Sequence, residues 1–385
     1  MYDVIVVGTG GVGSAVLYHA ARRGARVLGL DRFPAAHDRG SSHGDTRIIR
    51  LAYFEHPDYV PLLRRAYELW SELERAVQQP LYDEVGLLEI GPVDGEVVPG
   101  VLRSAALHGL EIESLDAASV ARRFPGFRVP DGYQAVFERR AGYLRVERCV
   151  LAHLQAAVAL GAEQRVGGAV RGWRAARDHL WVDTDAGPLA TRRLVVTPGA
   201  WAGTLLADIP IPWRVLLKHL HWFAPRTHDY RAGNRGCTFF YEFPWGMFYG
   251  FPQVDELGVK MAEHSGGVTV TDPLCVDRSP DPLDRQRVET FLGMCLPGMT
   301  RVERRHATCF YTMTPDGHFV VDRHPQDERL VFAAGLSGHG FKFTSVLGEV
   351  LAHWALEGAP SQPVEFLGLQ RFGSAPPPDA RLPHA

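Results

Sequence analysis

Gly8, Gly10 and Gly13 stand at GxGxxG spacing after a continuous apolar run, Tyr2 to Val7, and before a helical stretch from Val12 to about Arg23. A turn of this kind lets the backbone approach a pyrophosphate at a helix N-terminus, and its third glycine lets helix pack on strand. A second strand, Arg26 to Leu30, ends on Asp31, an acid placed to accept hydrogen bonds from a ribose. GxGxxG alone is weak evidence; the strand before, the helix after and the acid beyond make it a dinucleotide signal.

A second set of candidates comes from charge. Only three of the 41 basic residues are lysines, Lys218, Lys260 and Lys342. Arginine is a planar fork that is always charged, whereas lysine is a compact ammonium whose pKa moves with burial. A lysine kept in an arginine-rich chain is a candidate for chemistry that needs a small cation, with chance survival of a compositional bias as the alternative. Lys342 lies in GLSGHGFKF, Gly335 to Phe343, a second glycine turn that follows a strand and precedes a helix. A nicotinamide enzyme completes its pyrophosphate site in the first βαβ unit and has no need of this turn. A flavin ring gains negative charge as it takes up electrons, and a helix N-terminus with His339 and Lys342 beside it would stabilise that charge.

The elements that must position these residues follow from periodicity. Helical spacing is expected from Asp58 to about Ala76, from Val146 to Leu160 and from Ser345 to Leu356. Strands are expected at Gly86 to Ile90, Tyr133 to Glu138, Leu180 to Thr184, Leu194 to Thr197 and Leu330 to Ala334. The polar stretch RGSSHGDTRIIRLAY, Arg39 to Tyr53, reads as a functional loop, and Arg193 to Ala202 as a strand and small-residue turn that approach the cofactor again. From Ile211 to about Arg305 the texture becomes aromatic and proline-rich, as in an inserted antiparallel lobe. The expected fold is α/β: a doubly wound, mostly parallel FAD-binding domain of the two-dinucleotide-fold type with an inserted antiparallel-sheet substrate domain. The expected divisions are residues 1–84, 140–210 and 306–372 for the first, 85–139 and 211–305 for the second, and a loose tail at 373–385.

Composition narrows the function. A net charge of -3, with the basic residues scattered among 44 acidic ones, argues against a nucleic-acid surface. No apolar run reaches the roughly 18 residues of a membrane span, and the chain begins on a strand without a signal-peptide pattern, so a cytoplasmic protein is expected. The five cysteines, Cys149, Cys237, Cys275, Cys295 and Cys309, form no CxxC pair, so neither a zinc site nor a redox dithiol is expected.

The residues also match a known family. YDVIVVGTGGVG, GSSHGDTRIIRLAY, TPGAWA, FYGFP, VKMAEH, CFYTMTPDGHFVVDRHP and GLSGHGFKFTSVLGE, spread over nearly the whole chain, resemble the monomeric sarcosine oxidase and N-methyltryptophan oxidase group of FAD-dependent amine oxidases. The resemblance implies FAD joined covalently to Cys309, with Ser42, His43, Thr46, Gly338 and Gly340 also at the cofactor. It implies a substrate-carboxylate anchor of Arg50 and Lys342, and Arg47 beside the flavin. It places Lys260 where oxygen is reduced, an ammonium next to nascent superoxide. It makes His264 and His339 active-site histidines, and Tyr249, Phe240 and Tyr311 pocket walls. Taken alone, Cys309, His264 and the aromatics could be core residues, Arg50 could be a surface ion pair, and Lys218 has no role. Phe54, His56 and Phe240 differ from the residues usual in the sarcosine enzymes, which makes sarcosine itself a doubtful substrate.

The implied activity is oxidation of a secondary amino acid, N-methyl or cyclic, to an imine that hydrolyses, with oxygen reduced to hydrogen peroxide. The expected partners are the amino acid and oxygen, and the expected state is a monomer. A flavin dehydrogenase or a cyclic-imine (pipecolate-type) oxidase on the same fold, and a flavin sensor without turnover, are the alternatives.

Overall fold

The computed structural model describes residues 1–373, so the expected loose tail lies, apart from Gly373, outside the described residues. The first sheet has a parallel centre. Strand Tyr2–Val7 lies between Val27–Asp31 and Gly187–Val196, Val27–Asp31 pairs onward with Glu163–Val166, and Gly187–Val196 pairs with Asp327–Ala334. At the centre of the sheet Val4–Val7 and Val27–Leu30 are unbroken runs without a polar side chain because both faces are covered. On one face Val4 and Val6 join a core that includes the helices Gly11–Arg22, Tyr59–Val77, Val146–Ala159 and Thr344–Glu357. Ile5 and Val7 face a second cluster with Leu206, Ile209 and Phe332. The expected helix after Asp58 is formed, and its buried Leu62, Leu63, Ala66, Leu69, Trp70 and Leu73 follow the 3.6-residue period.

The second sheet has nine strands and is antiparallel except where Thr238–Phe243 runs alongside Leu87–Pro92. Chain from 87–138 and from 214–313 supplies it, so the two inserted stretches meet in one sheet. The expected division at 305/306 falls inside one strand: Met299–Met313 pairs with Arg214–Pro225 from Met299 opposite Pro225 to Met313 opposite Arg214. The pairing shifts register at Trp222 and Phe223, opposite Arg305 and Glu303, yet one strand runs through the change of composition that suggested a boundary. Cys309 and Tyr311 are therefore presented by the antiparallel sheet.

Helices Val97–His108, Ala117–Arg123 and Pro282–Cys295 were not expected. Nor was the strand Thr46–Ile49, which pairs with Gly142–Arg145 inside the segment read as a loop. This pairing fixes the position of Arg47, and Arg50 follows immediately after the strand. Among the described residues no helix is long and apolar enough to cross a membrane.

Candidate functional site

Most of the cofactor-binding candidates line a cavity of about 630 Å³: Gly8, Gly10, Gly13, Asp31 and Ser42 around the first glycine turn, and Gly338 and Gly340, with Tyr311, around the second. Around the first turn it is shaped by main chain. Gly8 has φ +85°, and a Cβ on Gly13 would sit 1.7 Å from the Gly8 carbonyl oxygen. Only glycine permits so close an approach. Asp31 accepts from Thr9 N at 2.7 Å and Phe33 N at 3.0 Å, which aims its carboxylate while leaving lone pairs for a further donor. Gly11 N donates to Ser42 Oγ at 3.0 Å, tying the GSSH segment to the helix start. At the second turn a Cβ on Gly338, at φ +82°, would come within 2.4 Å of the Tyr311 ring. This cleft, narrowed by positions that tolerate no side chain and lined by the Asp31 carboxylate and by the glycines of both turns, fits a dinucleotide with an attached ring.

A second, smaller cavity of about 50 Å³ adjoins it, and Arg47, Tyr311, Gly338 and Phe341 line both. Arg50, Lys342, Phe240, Tyr249, His264 and His339 also line the smaller cavity. Residues from five distant stretches of chain, expected to act together, are thus brought together. Arg47 is held by backbone carbonyls, donating to Thr46 O and Ser41 O, each at 2.9 Å.

Lys342 donates to the His339 carbonyl at 2.8 Å and approaches the Tyr53 hydroxyl at 3.5 Å. Burial, with Arg50 nearby, lowers its pKa to about 7. His339 is neutral because burial holds it well below the usual histidine range. Its Nε2 lies 2.9 Å from the Gly317 carbonyl, which can only accept, so Nε2 carries the proton and Nδ1 accepts from the Tyr53 hydroxyl at 2.5 Å. His264 is likewise neutral, lowered to about 3 by burial and then by Lys218, with Nδ1 3.4 Å from the Tyr311 hydroxyl.

Four predicted residues lie outside both linings. Lys260 is buried and spends its ammonium on Gly44 O at 2.6 Å and Thr46 O at 2.8 Å; burial, then Arg47, holds its pKa well below the usual lysine value. Thr46 thereby bridges Lys260 and Arg47 through one carbonyl. His43 contacts the Gly40 carbonyl at 3.2 Å and is lowered to about 3 by burial. Cys309 is buried opposite Lys218, next to the cleft-lining Phe310 and Tyr311. Lys218 donates to Ser265 O at 2.5 Å and Gly266 O at 3.0 Å, which accounts for its burial without a place in either cavity.

Sequence reasoning missed two carboxylates. Glu55 lines the small cavity and receives Arg50 Nη2 at 2.7 and 2.6 Å, and Glu89 receives Arg50 Nη1 at 2.5 Å. An acid in the otherwise apolar run LLEIG was the available signal for Glu89. Of the residues that differ from those usual in the sarcosine enzymes, Phe54 packs on Phe240 and under Arg50, whereas His56 sits further out against His318 and Phe366.

A fold of two large sheets and one small one, with this cleft and pocket, suits a flavin-dependent oxidoreductase. The profile of the family described as FAD dependent oxidoreductase matches residues 3–354, and the chain belongs to that family. Within it the chain falls in the sarcosine oxidase and N-methyltryptophan oxidase group expected from the motifs. It is 40% identical to a monomeric sarcosine oxidase of Streptomyces avermitilis over 380 residues, covering 97% of this chain and 99% of that one. It is 36% identical to an N-methyl-L-tryptophan oxidase of Salmonella typhimurium over 376 residues, covering 96% and 99%. The solved structure of NikD, an unusual amino acid oxidase essential for nikkomycin biosynthesis, superposes with TM-score 0.84 at 26% identity, covering all of this chain and 99% of that one.

Proposed function

We propose that the protein is an FAD-dependent oxidase of secondary amino acids, N-methyl or cyclic, whose carboxylate is held by Arg50 and Lys342. The observation that carries this reading is the small pocket itself. It places the Lys342 ammonium and the Arg50 guanidinium on the wall of a cavity that shares Arg47, Tyr311, Gly338 and Phe341 with the cofactor cleft. A point charge and a planar fork can orient a carboxylate and so lower the entropic cost of reaching the reactive geometry. Bound flavin supplies a two-electron acceptor that oxygen can reoxidise. The electron pair comes from the C–H bond beside nitrogen, transferred as a hydride equivalent, and the nitrogen gives up its proton; water hydrolyses the imine that remains, and oxygen takes two electrons and two protons and leaves as hydrogen peroxide.

The chain's own residues divide the remaining work. Neutral His264 and His339 add no charge of their own to the pocket, while the guanidinium groups of Arg47 and Arg50 on the same wall favour the unprotonated amine from which oxidation proceeds. Tyr249, Phe240 and Tyr311 exclude water from the pocket. Lys260, sharing the Thr46 carbonyl with Arg47, supplies the fixed charge that favours oxygen reduction. Cys309 forms the covalent link to the cofactor. We assign the glycines of both turns, with Asp31, Ser42, His43 and Thr46, to FAD, and place the enzyme in the cytoplasm as a monomer.

The test is a screen of N-methyl and cyclic amino acids for peroxide formation, paired with anaerobic mixing. The substrate should bleach the flavin without oxygen and yield peroxide with it. Bleaching without peroxide would make the protein a dehydrogenase, and no bleaching by any amino acid would leave a flavin protein without turnover.

A further inference from the structure

Arg50 is unusually encumbered for a ligand-binding arginine. Its guanidinium lies 4.2 Å from the Phe54 ring centre and 4.8 Å from that of Tyr53, so it is stacked in place. Glu55 faces it from the pocket, whereas Glu89, from strand Leu87–Pro92, meets it without lining the pocket. Glu89 is fully buried, and its Oε2 and the Arg50 Nε are both buried without a hydrogen-bond partner. A buried carboxylate stripped of its cation costs several kcal/mol, whereas the protonated acid carries no such penalty.

We propose that Glu89 is a positioning residue of the carboxylate site: it holds the Arg50 fork from outside the pocket and takes up a proton when Arg50 turns its charge to an incoming carboxylate. The inference rests on the reading of Arg50 and Lys342 as the carboxylate anchor. The groups around Glu89 favour the protonated form. Burial is the largest influence, Arg50 opposes it, and the carboxylates of Glu138 and Glu55 reinforce it, raising the Glu89 pKa to about 8. Glu138 accepts from Leu51 N and Ala52 N, and Glu242 of the neighbouring strand accepts from Glu96 N and Val97 N, so backbone donors hold both acids in place and neither can stand in for the Arg50 cation. With the Arg50 charge shared by a second anion, the remaining attraction that keeps Glu89 ionised falls. With the Glu89 pKa raised to about 8, binding draws in little or no proton well below that pH, and above it each bound carboxylate draws one in. Lys342 adds its own requirement above about pH 7, since only the ammonium attracts an anion.

The FAD-loaded enzyme can test this with propionate, which has the carboxylate and lacks the amine. Affinity is read from the change in flavin absorbance, and protons taken up from a pH indicator in weakly buffered solution. From pH 7 to 9, Glu89→Gln should lose affinity less than the wild type, by a factor of about ten at pH 9, because the neutral amide removes one linked proton. It should also take up about one proton fewer per propionate. Identical slopes and proton counts in the two proteins would overturn the role of Glu89 while leaving the anchor intact. Absence of any propionate-induced change in the wild type at every pH would remove the anchor, and the inference with it. If Gln at position 89 prevents folding, Lys342→Met holoenzyme at saturating propionate must still take up a proton at pH 9, and no uptake there overturns the proposal.

Discussion

The fingerprint end of the large cleft is made of main chain: Gly8, Gly10 and Gly13 turn the backbone, and Asp31 is aimed by two backbone N–H groups. The small pocket is made of side chains, with Arg47, Arg50, Lys342 and Glu55 gathered around one cavity among aromatic rings. The first region depends on the absence of atoms, and local spacing suffices to specify it. The second depends on charges removed from water, whose properties are set by neighbours far away in the chain. The cleft should therefore fail in an all-or-none manner, whereas the pocket should respond in graded fashion to charge and pH.

The largest effect should come from Gly13→Ala. A Cβ there meets the Gly8 oxygen at 1.7 Å and Thr197 Oγ1 at 2.6 Å, and neither the turn nor the helix can move aside cheaply. The purified variant should carry no flavin absorbance; retention of the full cofactor would show that the cleft is less dependent on its backbone than the geometry implies. Lys260→Met should come next, slowing reoxidation of reduced flavin by oxygen on the order of a hundredfold, the scale for losing one fixed electrostatic donor. Anaerobic reduction by substrate, followed by stopped flow, should be spared. If reoxidation is unaffected, Lys260 belongs with the scaffold through its bonds to Gly44 and Thr46.

In the pocket, Lys342→Met should raise KM roughly ten- to hundredfold, as expected for a lost charge-assisted hydrogen bond. Its flavin content should remain normal, which separates pocket from cleft. A smaller graded effect concerns pH. Because burial lowers Lys342 to about 7, its ammonium is present below that pH and lost above it. Propionate affinity of the wild type should begin to fall above pH 7, whereas the Lys342→Met protein should show a flat response until Glu89 ionises. Cys309→Ser should have the narrowest consequence: the wild type is expected to keep its yellow colour through acid precipitation and the variant to lose it, with the noncovalent cleft still able to bind FAD.

Much of the fold was legible because its signals are local. The strand Tyr133–Glu138 and the helix after Asp58 were expected from period alone and are present. The helix Pro282–Cys295 was missed: only Val288, Phe291, Leu292 and Cys295 are buried on it, so its apolar face is too short to stand out in an aromatic, proline-rich lobe. The expected division at 306 falls within the strand Met299–Met313, whose pairing with Arg214–Pro225 shifts register beside Arg305 and continues on both sides of it.

The sequence by itself determined the dinucleotide turn, the acid that follows it, the family and the short set of lysines worth testing. Backbone sterics and residue type act over a few neighbouring positions, so these features need no knowledge of the rest of the chain. Only the tertiary structure decided what each charge faces. It spent Lys218 on the carbonyls of Ser265 and Gly266, set Lys260 and Arg47 on one shared carbonyl, and left Lys342 on the pocket wall. It also brought Glu89 against Arg50 across 39 positions of sequence. Desolvation and Coulomb interaction depend on distance through space, and that distance is not written in the spacing of residues along the chain.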